Sequence, residues 1–183
     1  PNSPSSVSPL VRFCNEKSPV LKFLLGFFWF RVLFYLFYYS SLYQNTLAPP
    51  IENFQARISG GLLQLLGYDA VVSGDTISGS KFSVSIANGC DGLEPLAMLF
   101  GGILVFPLAF KYKWPGLLAG VVALFALNLL RIAGLYLAGI HFFSAFEFLH
   151  LHGGFVIFTI ITIILWMTWA NWAMRQKKAE VAG

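Results

Sequence analysis

The stretch Trp114–Ile140, WPGLLAGVVALFALNLLRIAGLYLAGI, carries a single charge, Arg131, in an otherwise apolar run. As a helix it would reach ~40 Å at 1.5 Å per residue, more than the ~30 Å hydrocarbon core of a bilayer. Working outward, three more segments are long enough to cross: roughly Leu21 to Leu42, Leu93 to Phe110, and Gly154 to Ala173. The composition agrees, with 57% hydrophobic, 17% aromatic and only 11% charged residues, which excludes an ordinary soluble domain. The expected fold is an all-α integral membrane protein forming a single membrane domain over residues 1–183. It has about four transmembrane helices, plus an external interfacial amphipathic helix and a small β-hairpin.

The formal charge of +4 does not gather on one face, so nucleic acid is not an expected partner. The bases instead flank the apolar runs. Arg12, Lys17 and Lys22 precede the first, Lys111 and Lys113 lie between the second and third, and Arg175, Lys177 and Lys178 follow the fourth. An even number of spans puts all three groups on one side, the cytoplasmic side by the positive-inside rule. Residues 1–18 then read as a flexible cytoplasmic tail and 174–183 as a basic cytoplasmic tail. The Pro/Ser-rich start does not read as a signal peptide, because the apolar run after it is too long and lacks a cleavage-type end. Glu52, Asp69, Asp75, Asp91 and Glu147 fall on the outer face.

Residues 43–88 form an external insert. Ala48-Pro49-Pro50 breaks the chain, and Ile51, Phe54, Ile58, Leu62, Leu65 and Leu66 then recur at helical spacing among the polar Glu52, Gln55 and Arg57. That pattern predicts an amphipathic helix lying on the outer membrane face. Gly74-Asp75 and Gly79-Ser80 read as turns, and Phe82, Val84 and Ile86 alternate with Ser83 and Ser85. The expectation is a small hairpin or three-strand meander that leads into Cys90.

Cys90 stands in Asn88-Gly89-Cys90-Asp91-Gly92-Leu93-Glu94, at a membrane boundary beside a helix start. A helix N-terminus favours the thiolate, whereas Asp91 and Glu94 work against it, so a reactive Cys90 needs a cation. Arg131 answers that need. It lies ~13 Å below the outer end of its span, and Asn128 shares its helix face. The bland alternative is a structural ion pair with Glu94. Arg31, in the first span, reads as snorkelling toward the cytoplasmic surface. His150 supplies a base, with Glu147 one helical turn earlier to orient its ring; His152 is off that face. Cys14, on the cytoplasmic side, cannot pair with Cys90. A thiol, a base and a cation converging from three chain regions form the constellation of nucleophilic acyl transfer. Glu147, His150 and His152 make a poor metal set because His152 points away, so no metal is expected. A non-catalytic membrane scaffold or assembly protein is the alternative.

Three motifs resemble the exosortase/archaeosortase membrane transpeptidases: Cys90-Asp91-Gly92, then Asn128-Leu129-Leu130-Arg131, then His150-Leu151-His152-Gly153-Gly154. Order, spacing and topology agree from about Ser83 to Trp172. The chain has fewer spans than many members, Asp91 where many have a small residue such as Ser, and Phe155 where Trp or Tyr is common. The resemblance implies catalytic Cys90, Arg131 and His150, with Asn128, Gly92, Glu147 and Glu94 in support. Its implied substrates are secreted proteins with a C-terminal sorting signal made of a short motif, a transmembrane helix and a basic end. These would be cut at the outer face through a thioester on Cys90 and passed to an unknown nucleophilic acceptor. The implied home is the plasma (inner) membrane of a bacterium, with both termini cytoplasmic, membrane lipid around it and no cofactor. The substrate helix would pack on Ala119-Gly120 or Ala133-Gly134, where close approach is possible.

Overall fold

Pro107 decides where the second apolar segment stops being helical. In the computed structural model, which describes residues 9–86, 89–143, 146 and 154–182, Phe106 is extended at φ −62° and ψ 135°. The residue before a proline is pushed out of the helical region by the ring. The resulting helix, α3 (Leu93–Val105), is only ~20 Å long, short of a bilayer core. The other apolar helices are α1 (Pro9–Tyr38), α4 (Phe110–His141) and α5 (Gly154–Ala182). Three described helices are therefore long and apolar enough to cross a membrane, and α3 is a shorter apolar one where the segment lengths predict a fourth span.

Short as it is, α3 returns the chain antiparallel to α1. Glu94, in its first turn, meets Arg31, while Phe106 just past its end meets Phe23. At that second end Lys111 pairs with Glu180 at 2.5 Å, and the Trp169 indole donates to the Tyr112 carbonyl at 2.8 Å. Helices α1 and α5 outrun the sequence expectation most. Helix α1 reaches back to Pro9 through a stretch free of glycine, and α5 continues through the good helix formers of Arg175–Glu180. Much of both expected tails is thus helical.

Lipid supplies no hydrophobic drive between helices, so close approach must hold them together. Glycines provide it. Side chains of Leu99, Trp169 and Trp166 fill the space where Cβ atoms would stand at Gly120, Gly116 and Gly102, respectively. The core of this part is Leu99, Ile103, Leu117, Leu124, Phe158 and Trp169. The Cβ position of Gly120 is thus filled by Leu99, while nothing stands within 4 Å of a Cβ at Gly134.

The outer layer begins with a π-helical turn, Tyr43–Leu47, that runs straight into α2 (Ala48–Leu65). Pro49 and Pro50 do not break the chain. They sit in the first turn, where a missing N–H costs nothing. Helix α2 turns Gln55, Ala56, Ser59, Gly60 and Leu63 inward and leaves Phe54, Ile58 and Leu65 exposed. The small residues admit a three-stranded antiparallel meander of β1 (Val71–Ser73), β2 (Thr76–Ser78) and β3 (Ser83–Ser85), one strand more than a hairpin. Ser73 pairs with Thr76 across a two-residue turn that needs positive φ at Gly74. Ile77 and Ile86 of this layer pack with Ala56 and Leu63 against Ile132, Ala133 and Tyr136 on the last third of α4.

Candidate active site

The loop from Gly89 to Gly92 is bent by two glycines with φ of 85° and 74°. A Cβ at Gly92 would also lie 2.9 Å from the Asn128 side chain, so both the turn and the close approach require glycine there. Asp91 anchors the loop. Its carboxylate, only 3% exposed, accepts from the Leu93 N–H at 3.1 Å and from the hydroxyls of Tyr38 at 3.0 Å and Tyr43 at 2.6 Å. Tyr38 Oη in turn accepts from the Gly89 N–H at 2.8 Å. Burial, and then hydrogen bonding to Asp91, hold the Tyr43 phenol well above its ordinary range, so it remains a donor.

Cys90 is half-buried, and Arg131 approaches it from α4. The guanidinium donates from Nη1 to the Gly89 carbonyl at 3.3 Å, and Nη2 lies 3.8 Å from Cys90 Sγ. Burial pushes the Cys90 thiol up, Arg131 opposes that effect, and Asp91 adds to it. Asn128, 1% exposed, donates to the Cys90 carbonyl at 2.9 Å and to Gln55 Oε1 at 3.0 Å. Gln55 Nε2 donates to the Asp91 carbonyl at 2.8 Å. On its other side the guanidinium stacks over Phe158, 5.6 Å from the ring centroid, and lies flat against Gly154. A Cβ at Gly154 would be 2.4 Å from Nη2 and 2.7 Å from Cζ. Arg131 Nε is buried with no hydrogen-bond partner among the described residues. A groove of about 330 Å³ between α4 and α5, lined by Leu130, Arg131, Gly134, Gly154, Ile157 and Phe158, runs up to the guanidinium.

The structure thus joins four of the sequence-predicted residues: Cys90, Arg131, Asn128 and Gly92. The expected Glu94–Arg131 ion pair does not form among the described residues; the backbone carbonyl of Glu94 instead accepts from Arg31 Nη1 at 3.2 Å. Arg31 Nη2 donates to Tyr35 at 2.7 Å, and its guanidinium lies over that ring, so Arg31 is held at the first turn of α3 and does not snorkel. Glu147, His150 and His152 lie outside the described residues; Gly154, which closes the His-x-x-x-Gly motif, is the part of it seen against Arg131. Tyr38, Tyr43 and Gln55 were not predicted as site residues. Tyr38 and Tyr43 carry no signal in an aromatic-rich run, and Gln55 reads as a solvated polar residue of an amphipathic helix.

The profile of the transmembrane exosortase family matches residues 23–167. The chain belongs to the transmembrane exosortase family. No curated protein and no solved structure matches it significantly. In this exosortase the matched region holds Tyr38, Tyr43, Gln55, the Cys90 loop, Asn128, Arg131 and Gly154, so each described residue that supports the thiol falls within it.

Proposed function

We propose that this exosortase is a membrane-embedded cysteine transpeptidase acting on secreted proteins that carry a C-terminal sorting signal. The observation that carries the reading is the Arg131 guanidinium, 3.8 Å from Cys90 Sγ, in a chain of this family. The Cys90 thiolate attacks the scissile carbonyl and forms a tetrahedral oxyanion, which the Arg131 donors stabilise. Collapse breaks the C–N bond, His150 gives its proton to the departing amine, and a thioester remains on Cys90. A nucleophilic acceptor then attacks the thioester; His150 takes its proton, and the thiolate leaves. Basic segments grouped at one end of the bundle support cytoplasmic termini and a site facing outward from a bacterial inner membrane.

The experiment is coexpression with tailed proteins from the same genome, following removal of the tail. Wild type should process at least one of them and Cys90→Ala none; processing by Cys90→Ala refutes the reading. One observation favours a second reading, the non-catalytic scaffold: burial raises the Cys90 pKa and favours an inert thiol. A membrane-impermeant thiol reagent separates the two, because a catalytic Cys90 reacts from outside in a pH-dependent way and a structural one does not.

A further inference from the structure

We infer that Gln55, on the outer helix α2, is a positioning residue for Cys90, coupling Asn128 to the peptide after the thiol so that Sγ stays against Arg131. The two carbonyls that follow the thiol are held by two side-chain amides from different elements. Asn128 of α4 takes the Cys90 carbonyl at 2.9 Å, and Gln55 of α2 takes the Asp91 carbonyl at 2.8 Å. The amides are themselves joined, Asn128 Nδ2 to Gln55 Oε1 at 3.0 Å. Gln55 is 2% exposed, and a leucine would fill comparable space. A leucine could neither accept from Asn128 nor donate to the Asp91 carbonyl, and buried groups left without partners relax toward new ones.

With both peptide planes fixed, and the Gly89 N–H held by Tyr38, the remaining freedom of the thiol is rotation about its own Cα–Cβ bond. Among the described residues the charged groups that face it are Arg131 of α4 and Asp91 of the loop. Loss of Gln55 frees the Asp91 peptide and lets Sγ drift from Nη2. A displacement on the order of 1 Å at a reacting atom costs up to ~10²-fold in rate.

This inference rests on the transpeptidase reading for what the thiol does, but its test does not. The full chain in membranes, with Cys14→Ser throughout, is treated with a small soluble alkylating reagent across pH. Wild type, Gln55→Leu and the neutral, unbranched Gln55→Met are compared, each with and without Arg131→Ala. Methionine cannot donate to the Asp91 carbonyl and brings no charge near the thiol, and its adaptable side chain guards against a leucine variant that does not fold. Both Gln55 variants should move the midpoint of Cys90 alkylation to higher pH, because the thiolate loses part of its cation, and should slow tail processing at least ~10-fold. Neither should move the midpoint further once Arg131 is gone. A wild-type midpoint in both variants overturns the inference, as does an equal shift with and without Arg131, which makes Gln55 a packing residue. If the wild type processes no tailed protein, the transpeptidase reading fails while alkylation still decides the role of Gln55.

Discussion

A single added methyl at Gly154 should disable the site without touching any reacting group. The Arg131 guanidinium lies flat on Gly154, so the Cβ of Gly154→Ala would meet Nη2 at 2.4 Å, Cζ at 2.7 Å and Nε at 2.8 Å. Ordinary contact begins about 1 Å farther out, and Phe158 closes another side of the guanidinium. Arg131 must therefore shift by on the order of 1 Å. Its Nη2···Sγ distance is 3.8 Å, at the edge of sulfur hydrogen bonding, so a shift of that size in any direction disturbs the contact. A misplacement of that size costs about 10²-fold, or about 2.7 kcal/mol of barrier. The control is Gly134→Ala, the same chemical change in the same groove, where nothing lies within 4 Å of the new Cβ. Both substitutions exchange glycine for a better helix former, so a weakened helix cannot explain a loss. Tail-processing rates at equal membrane abundance should fall about 10²-fold for Gly154→Ala and by less than about twofold for Gly134→Ala. Equal rates for the two variants would refute the argument that Gly154 seats the arginine.

Arg131→Lys should be nearly inactive, losing at least ~10²-fold in processing rate, because one ammonium cannot serve the Gly89 carbonyl and the Cys90 sulfur as the two-armed guanidinium does. Asp91 raises the Cys90 thiol and Arg131 lowers it, so the midpoint of Cys90 alkylation should fall to lower pH in Asp91→Asn and rise in Arg131→Ala; shifts of the opposite sign in a pH titration of alkylation rate would contradict the electrostatics. His150→Ala should cost ~10²-fold or more in processing and His152→Ala little, with Glu147→Gln between; a dead His152→Ala would mean that the family motif is misregistered in this loop.

The membrane character of the chain and the meeting of Cys90 with Arg131 and Asn128 were legible because they rest on long-range rules: segment length and the few polar residues that lipid tolerates. Cys90, Arg131 and Asn128 duly meet. What was not legible depended on local geometry. Pro107 stood in plain view, but its effect on Phe106, and so on the length of α3, is a matter of backbone sterics that a hydropathy window ignores. Gln55 sits beside Glu52 and Arg57 in a helix with an apolar ridge, and periodicity alone gave it to water. The helix instead has three surroundings, and its protein-facing side is the one built from Gln55, Ser59 and Gly60. Arg31 was read as snorkelling to the surface and Glu94 as an ion-pair partner of Arg131. Only the antiparallel run of α1 and α3 puts them side by side.

The length of α4 has one more consequence. Lys113, near its start, donates to the Leu104 carbonyl at the basic end of the bundle. From there to Arg131 is ~27 Å of helix, close to the ~30 Å thickness of a hydrocarbon layer. Were Lys113 to stand among the headgroups of one leaflet, the guanidinium would come near the opposite boundary, closer to it than the ~13 Å depth that the span ends alone suggest. In a bilayer of longer acyl chains the thiol would sink beneath the water that its proton transfers require, and in a thinner one it would ride above the point where a substrate helix leaves the lipid. On the proposed transpeptidase reading, acyl-chain length would then be a determinant of turnover, set by the rise per residue of one helix.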